Sequence, residues 1–135
     1  MGISIGQLKG MSRKIEATLL EMGVKDSDLL LERILSPGQR REMAKQIGIS
    51  ERNVLELANR ADLSRIKGVA GIYSDLLEHV GVDTVKELAM RNADNLHAMI
   101  VQLNRKKGFA KRAPSIGMVK SWVEQAKTLP KLLTY

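Results

Sequence analysis

Leu63-Ser64-Arg65-Ile66-Lys67-Gly68-Val69 repeats, without a gap, the pattern of Ile5-Gly6-Gln7-Leu8-Lys9-Gly10-Met11, 58 residues earlier. The same shift lays Tyr73 on Ile15, Leu77 on Leu19, Val80 on Met22, Gly81 on Gly23 and Val82 on Val24. In each copy a short apolar stretch runs into Lys-Gly, and apolar residues at helical spacing come next. A partial third echo relates Gly48 to Ala58 with Gly81 to Ala89. Two such units folding about an approximate two-fold axis would bury apolar surface that neither buries alone. The 135 residues read as one compact domain, with unit one at about 1–60, unit two at about 61–110 and a basic helix at about 111–135.

Outward from these copies the periodicity stays helical. Ile72, Leu76, Leu77 and Val80 share one stripe, as do Leu96, Met99, Ile100 and Leu103, and Val119, Trp122, Val123 and Ala126. No six-residue window alternates apolar and polar, so the expected class is all-α. Three turns share one grammar of Gly, aliphatic, then a capping residue: Gly23-Val24 before Asp26, Gly48-Ile49-Ser50, and Gly81-Val82-Asp83-Thr84. Glycine past a helix end takes the left-handed conformation, and Ser, Asp or Thr accepts the first N–H groups of the next helix. Thr84 with Glu87 fits a capping box, and Ser36-Pro37 reads as a helix start.

Lys9-Gly10-Met11-Ser12 and Ile66-Lys67-Gly68-Val69-Ala70-Gly71 each stand between a short helix and a longer one. That pattern resembles the helix-hairpin-helix motif. The whole chain resembles a prokaryotic family of tandem helix-hairpin-helix proteins classed as a domain of unknown function. Ala61–Val69, Tyr73–Leu77, Gly81–Ala89 and Arg112–Pro130 carry that resemblance. It implies a SAM-like bundle of short helices with a pseudo-two-fold internal repeat, and nonspecific binding of a nucleic-acid backbone. In such hairpins glycine lets the main chain approach a phosphate, and the N–H groups and dipole of the adjoining helix favour the anion. The resemblance places the donors at Gly68, Val69, Ala70 and Gly71 with Lys67. In the first copy it places them from Gly10 to Ser12, with Lys9, Arg13 and Lys14 close by. Both copies depart from the pattern: Ala70 and Ser12 occupy the second glycine position, where a Cβ narrows the approach.

The charge is concentrated at one end. Residues 1–103 carry 14 Lys+Arg against 14 Asp+Glu, whereas 104–135 carry eight cations and only Glu124, so this end accounts for the whole +7. Within it, Arg105, Lys106, Lys107, Lys111 and Arg112 bracket Gly108-Phe109. Two of those charges suit the C-terminal dipole of the preceding helix; five in eight residues exceed what capping needs. The expected partner is nucleic acid, DNA ahead of RNA, and the alternative is an acidic protein surface docking on a scaffold or homodimeric module.

Composition excludes much else. No cysteine is present, which removes disulfides, thiol nucleophiles and thiolate metal sites. His79 and His97 lack liganding companions at helical spacing, so no metal or other cofactor is expected, and no nucleophile–base–orienter set points to catalysis. No apolar run is long enough to span a bilayer, and Met1 to Gly10 is not built like a signal peptide, so the expected location is cytoplasmic. Four aromatic residues in all argue against base-stacking platforms, and Trp122 reads as a core anchor. The dispersed Met22, Met43, Met90, Met99 and Met118 read as core filler.

Overall fold

Capping chemistry sets where most of the helices begin. The structure, a computed structural model, describes residues 2–69 and 71–135. Among these, a 3-10 turn at Ile5–Gln7 precedes eight helices: α1 Arg13–Glu21, α2 Ser27–Arg33, α3 Pro37–Ile47, α4 Glu51–Leu63, α5 Ile72–His79, α6 Val85–Ala89, α7 Ala93–Lys107 and α8 Ile116–Thr128. The protein is all-α, and Ser4 and Asp26 form only an isolated bridge. Seven helices start on a side chain that accepts the N–H three residues on: Ser12, Asp26, Ser36, Ser50, Thr84, Asn92 and Ser115. The complete capping box belongs to Ser36 and Gln39. At Thr84 the Glu87 carboxylate reaches one residue further back and accepts from the Asp83 N–H at 3.0 Å.

The Gly-aliphatic turns form as their grammar predicts, with Gly23, Gly48 and Gly81 all at positive φ. Val24 donates to the Leu19 carbonyl at 2.9 Å, and Val82, 58 residues later, donates to that of Leu77 at 2.8 Å. Leu19, Val24, Leu77 and Val82 are all buried. Each aliphatic thus packs back on the helix just finished, and its own amide closes the turn.

The chain divides into two compact units, one holding the residues up to Arg65 together with Leu132–Tyr135, the other Ile66–Lys131. In the first, α4 packs on α2 and α3, and Ile5, Leu19, Leu30, Ile34, Val54 and Leu57 fill the core. Arg40 is also inside, 5% exposed. Its guanidinium donates to the carbonyls of Ile34, Leu35 and Thr134 and lies 5.7 Å from the Tyr135 ring. Burial lowers its pKa from the ordinary arginine value, against a raising pull from Tyr135. Leu133 is buried in the same core, and the Thr134 N–H donates to Leu35. In the second unit α8 lies against α6 and α7, and α5 touches α7. Val119, Trp122, Val123 and Ala126 form the buried stripe of α8. Trp122 is 2% exposed, the core anchor its spacing predicts.

The methionines divide. Met43 is buried, but Met90 is 72% exposed and Met99 43%, so these two are not core filler. Met90 stands just past the last turn of the five-residue α6, and Met99 lies at the exposed edge of the α7 stripe whose centre Leu96 and Ile100 bury. No helix among the described residues is long and apolar enough to cross a membrane.

Candidate nucleic-acid interface

In the first hairpin Leu8 is buried and Gly10 turns the chain at φ +86°. Nothing presses on that turn; a Cβ at Gly10 would meet only Leu57 Cδ2, at 3.9 Å. The Met11 N–H returns to the Leu8 carbonyl at 3.3 Å. Ser12, standing where the motif has glycine, caps α1, its hydroxyl accepting from the Ile15 N–H at 3.1 Å. Lys9, Arg13 and Lys14 are exposed around it. This hairpin carries its own side-chain cap.

The second hairpin has the same turn and a different finish. Gly68 sits at φ +92°, and a Cβ there would stand 3.1 Å from the Trp122 indole nitrogen. Val69 is buried, its N–H donating to Ile66 at 3.3 Å. The Lys67 main chain is clamped by Gln125, whose Oε1 accepts from the Lys67 N–H at 2.8 Å while Nε2 donates to the Lys67 carbonyl at 3.3 Å. Lys67 and Val69 therefore use their amides internally, while Lys67 and Gly68 remain exposed. Ala70 lies outside the described residues. Gly71, at φ +61° and ψ −119°, begins α5 with no side-chain cap. The N–H groups of Ile72 and Tyr73 find no acceptor among the described residues. Of the eight helix starts among the described residues, this one alone carries no side-chain cap.

The basic segment folds beside that start. Arg105, Lys106 and Lys107 occupy the last turn of α7, where they complement its dipole, and Gly108 ends the helix in the left-handed conformation. Asn104 then fixes the loop: its Oδ1 accepts from the Ala110 N–H at 2.9 Å and its Nδ2 donates to the Ala110 carbonyl at 3.1 Å. Phe109 lies on His79 with ring centroids 4.6 Å apart, and Tyr73 Oη reaches the Arg112 carbonyl at 3.5 Å. An open groove of about 760 Å³ results, lined by Gly68, Ile72, Tyr73, Phe109, Ala110, Lys111 and Arg112. Among the described residues, Lys106, Lys107, Lys111 and Arg112 have no carboxylate within ion-pair distance.

The Gly68 hairpin and the Lys111–Arg112 end of the basic stretch, far apart in sequence, thus meet within the second unit. Arg105, Lys106 and Lys107 are exposed but do not line the groove. Lys9, Gly10, Ser12, Arg13 and Lys14 belong to the other unit. Sequence reasoning missed Tyr73, Phe109 and Gln125. Only the uncapped start left a local signal: Gly71 stands where the other helices have Ser, Thr, Asp or Asn. Both histidines are engaged by main-chain carbonyls, His79 Nδ1 at Asp75 (2.8 Å) and His97 Nε2 at Pro114 (3.0 Å).

A family model described as "Domain of unknown function (DUF4332)" matches residues 9–129, and the chain belongs to that family. No curated protein and no solved structure matches it.

Proposed function

We propose that this member of the DUF4332 family is a tandem helix-hairpin-helix protein that binds nucleic acid, DNA ahead of RNA, through its phosphates and without sequence preference. One observation carries the reading: the helix start that lacks a capping side chain opens on the groove lined by Lys111 and Arg112. First-turn N–H groups and the positive end of a helix dipole attract an anion, and unpaired cations beside them add to the field. The matched turns at Gly10 and Gly68, with Gly23 and Gly81 related by the same 58-residue shift, support two related hairpins. The second hairpin is the binding one in this reading, because the first already carries a capping side chain, Ser12 on the Ile15 N–H.

Contacts of this kind read backbone geometry, so two unrelated duplexes should bind alike. Fluorescence anisotropy with short labelled duplexes tests this. With about three phosphates engaged, a fourfold rise in salt weakens binding by roughly fortyfold. Absence of binding at low salt overturns the proposal. Equal binding of poly-glutamate would transfer the basic groove to an acidic protein partner.

A further inference from the structure

We infer that the groove of the second unit takes a nucleotide whose base is unpaired, as single-stranded nucleic acid presents it. This rests on the phosphate-binding reading and adds the form of the nucleic acid. A phosphate alone needs N–H groups and cations; it has no use for an apolar floor. Yet Ile72, Tyr73, Phe109 and Ala110 make up most of this lining. The groove's volume, about 760 Å³, lies in the range of small-molecule sites. A duplex offers its sugar–phosphate rails to such a surface and keeps its bases stacked inside, whereas an unpaired base brings a flat apolar face that aromatic rings hold.

The rings are already braced. Tyr73 packs on Trp122 with centroids 5.5 Å apart and a 49° interplanar angle, and Phe109 on His79 at 4.6 Å and 45°. Three of the chain's four aromatic residues are gathered here, so scarcity in the composition concealed a local concentration. Rings held in place before binding lose little further freedom when a base arrives.

A second feature points to the same occupant. Trp122 is almost wholly buried, no acceptor for its indole N–H is found among the described residues, and no buried side-chain nitrogen there lacks a partner, so the indole nitrogen is the part of the ring that reaches the surface. It lies beside Gly68, where a Cβ would stand 3.1 Å away. The missing side chain leaves the donor open toward the groove that Gly68 lines, where a phosphate oxygen or base carbonyl can accept from it. Lys111 and Arg112 supply the matching charge.

The test uses the whole chain and three probes of equal length: a thymidylate dodecamer, an abasic strand with the same phosphates, and a blunt duplex. Trp122 is the sole tryptophan, so its indole N–H gives a single NMR resonance. The thymidylate strand should bind about tenfold tighter than the abasic strand, bind tighter than the duplex, and move that resonance. Phe109→Leu should bring the ratio of the two strands near one and leave the salt slope unchanged. The three-probe comparison needs only the unaltered chain, so it stands if that variant fails to fold. Equal affinity for thymidylate and abasic strands, an unmoved indole resonance, or a duplex bound as tightly as the strand overturns the inference. In those cases salt-dependent binding still upholds the phosphate reading; binding of none of the three overturns both.

Discussion

The two Lys-Gly hairpins share a backbone turn and differ in the helix start it leads into. Gly10 and Gly68 lie at φ +86° and +92°, and the residue after each donates to the carbonyl three positions back at 3.3 Å. After the first, Ser12 caps α1 and a Cβ at Gly10 would meet only Leu57, at ordinary contact distance. After the second, no side chain caps α5, an indole nitrogen lies under Gly68, and Lys111 and Arg112 stand beside it. A repeated turn therefore does not imply a repeated site. In the proposed reading the second copy is the anion seat, because it combines a helix start without a capping side chain with Lys111 and Arg112 beside it.

The sharpest way to break this contrast is charge reversal at each hairpin. Lys111→Glu with Arg112→Glu should weaken duplex binding at low salt by about a hundredfold, roughly tenfold for each cation. Arg13→Glu with Lys14→Glu should cost less than about threefold, because those charges belong to the other unit and do not line the groove. Anisotropy titrations of both pairs check this, and equal losses would make the hairpins equivalent. Next comes the turn itself. Gly68→Ala should lower stability by about 2–3 kcal/mol, since left-handed strain adds to a 3.1 Å contact with a packed indole. Gly10→Ala meets only the strain and should lose about 1–2 kcal/mol in denaturant melts. Ser12→Ala removes the α1 cap and should cost about 1 kcal/mol without altering affinity. The smallest effect belongs to Gln125→Ala, which frees the exposed Lys67 main chain for about 0.5–1 kcal/mol. It should change affinity by less than about twofold.

Much of the fold was legible along the chain because its signals are local. Ser36-Pro37, Ser50, Thr84 and Ser115 announce helix starts through bonds spanning three residues, and the 58-residue shift aligns turns whose dihedral angles agree. The methionines misled for the opposite reason: hydrophobicity marks a residue as able to be buried, and only the neighbouring helices decide whether it is. Met90 and Met43 differ by position alone. The basic stretch was legible as charge, but its division was not. Arg105, Lys106 and Lys107 finish a helix, whereas Lys111 and Arg112 lie past Gly108 and line the groove.

The sequence alone determined the helical class, the capped boundaries, the paired turns and the cationic end, since each depends on bonds or spacings within a few residues. Only the tertiary structure decided that Gln125 closes over Lys67, that Tyr73 meets both Trp122 and Arg112, and that Arg40 holds Thr134. Those partners are separated by 39 to 94 residues. Contacts at such range arise from how helices pack, which side-chain volume across the whole core sets and no local pattern encodes.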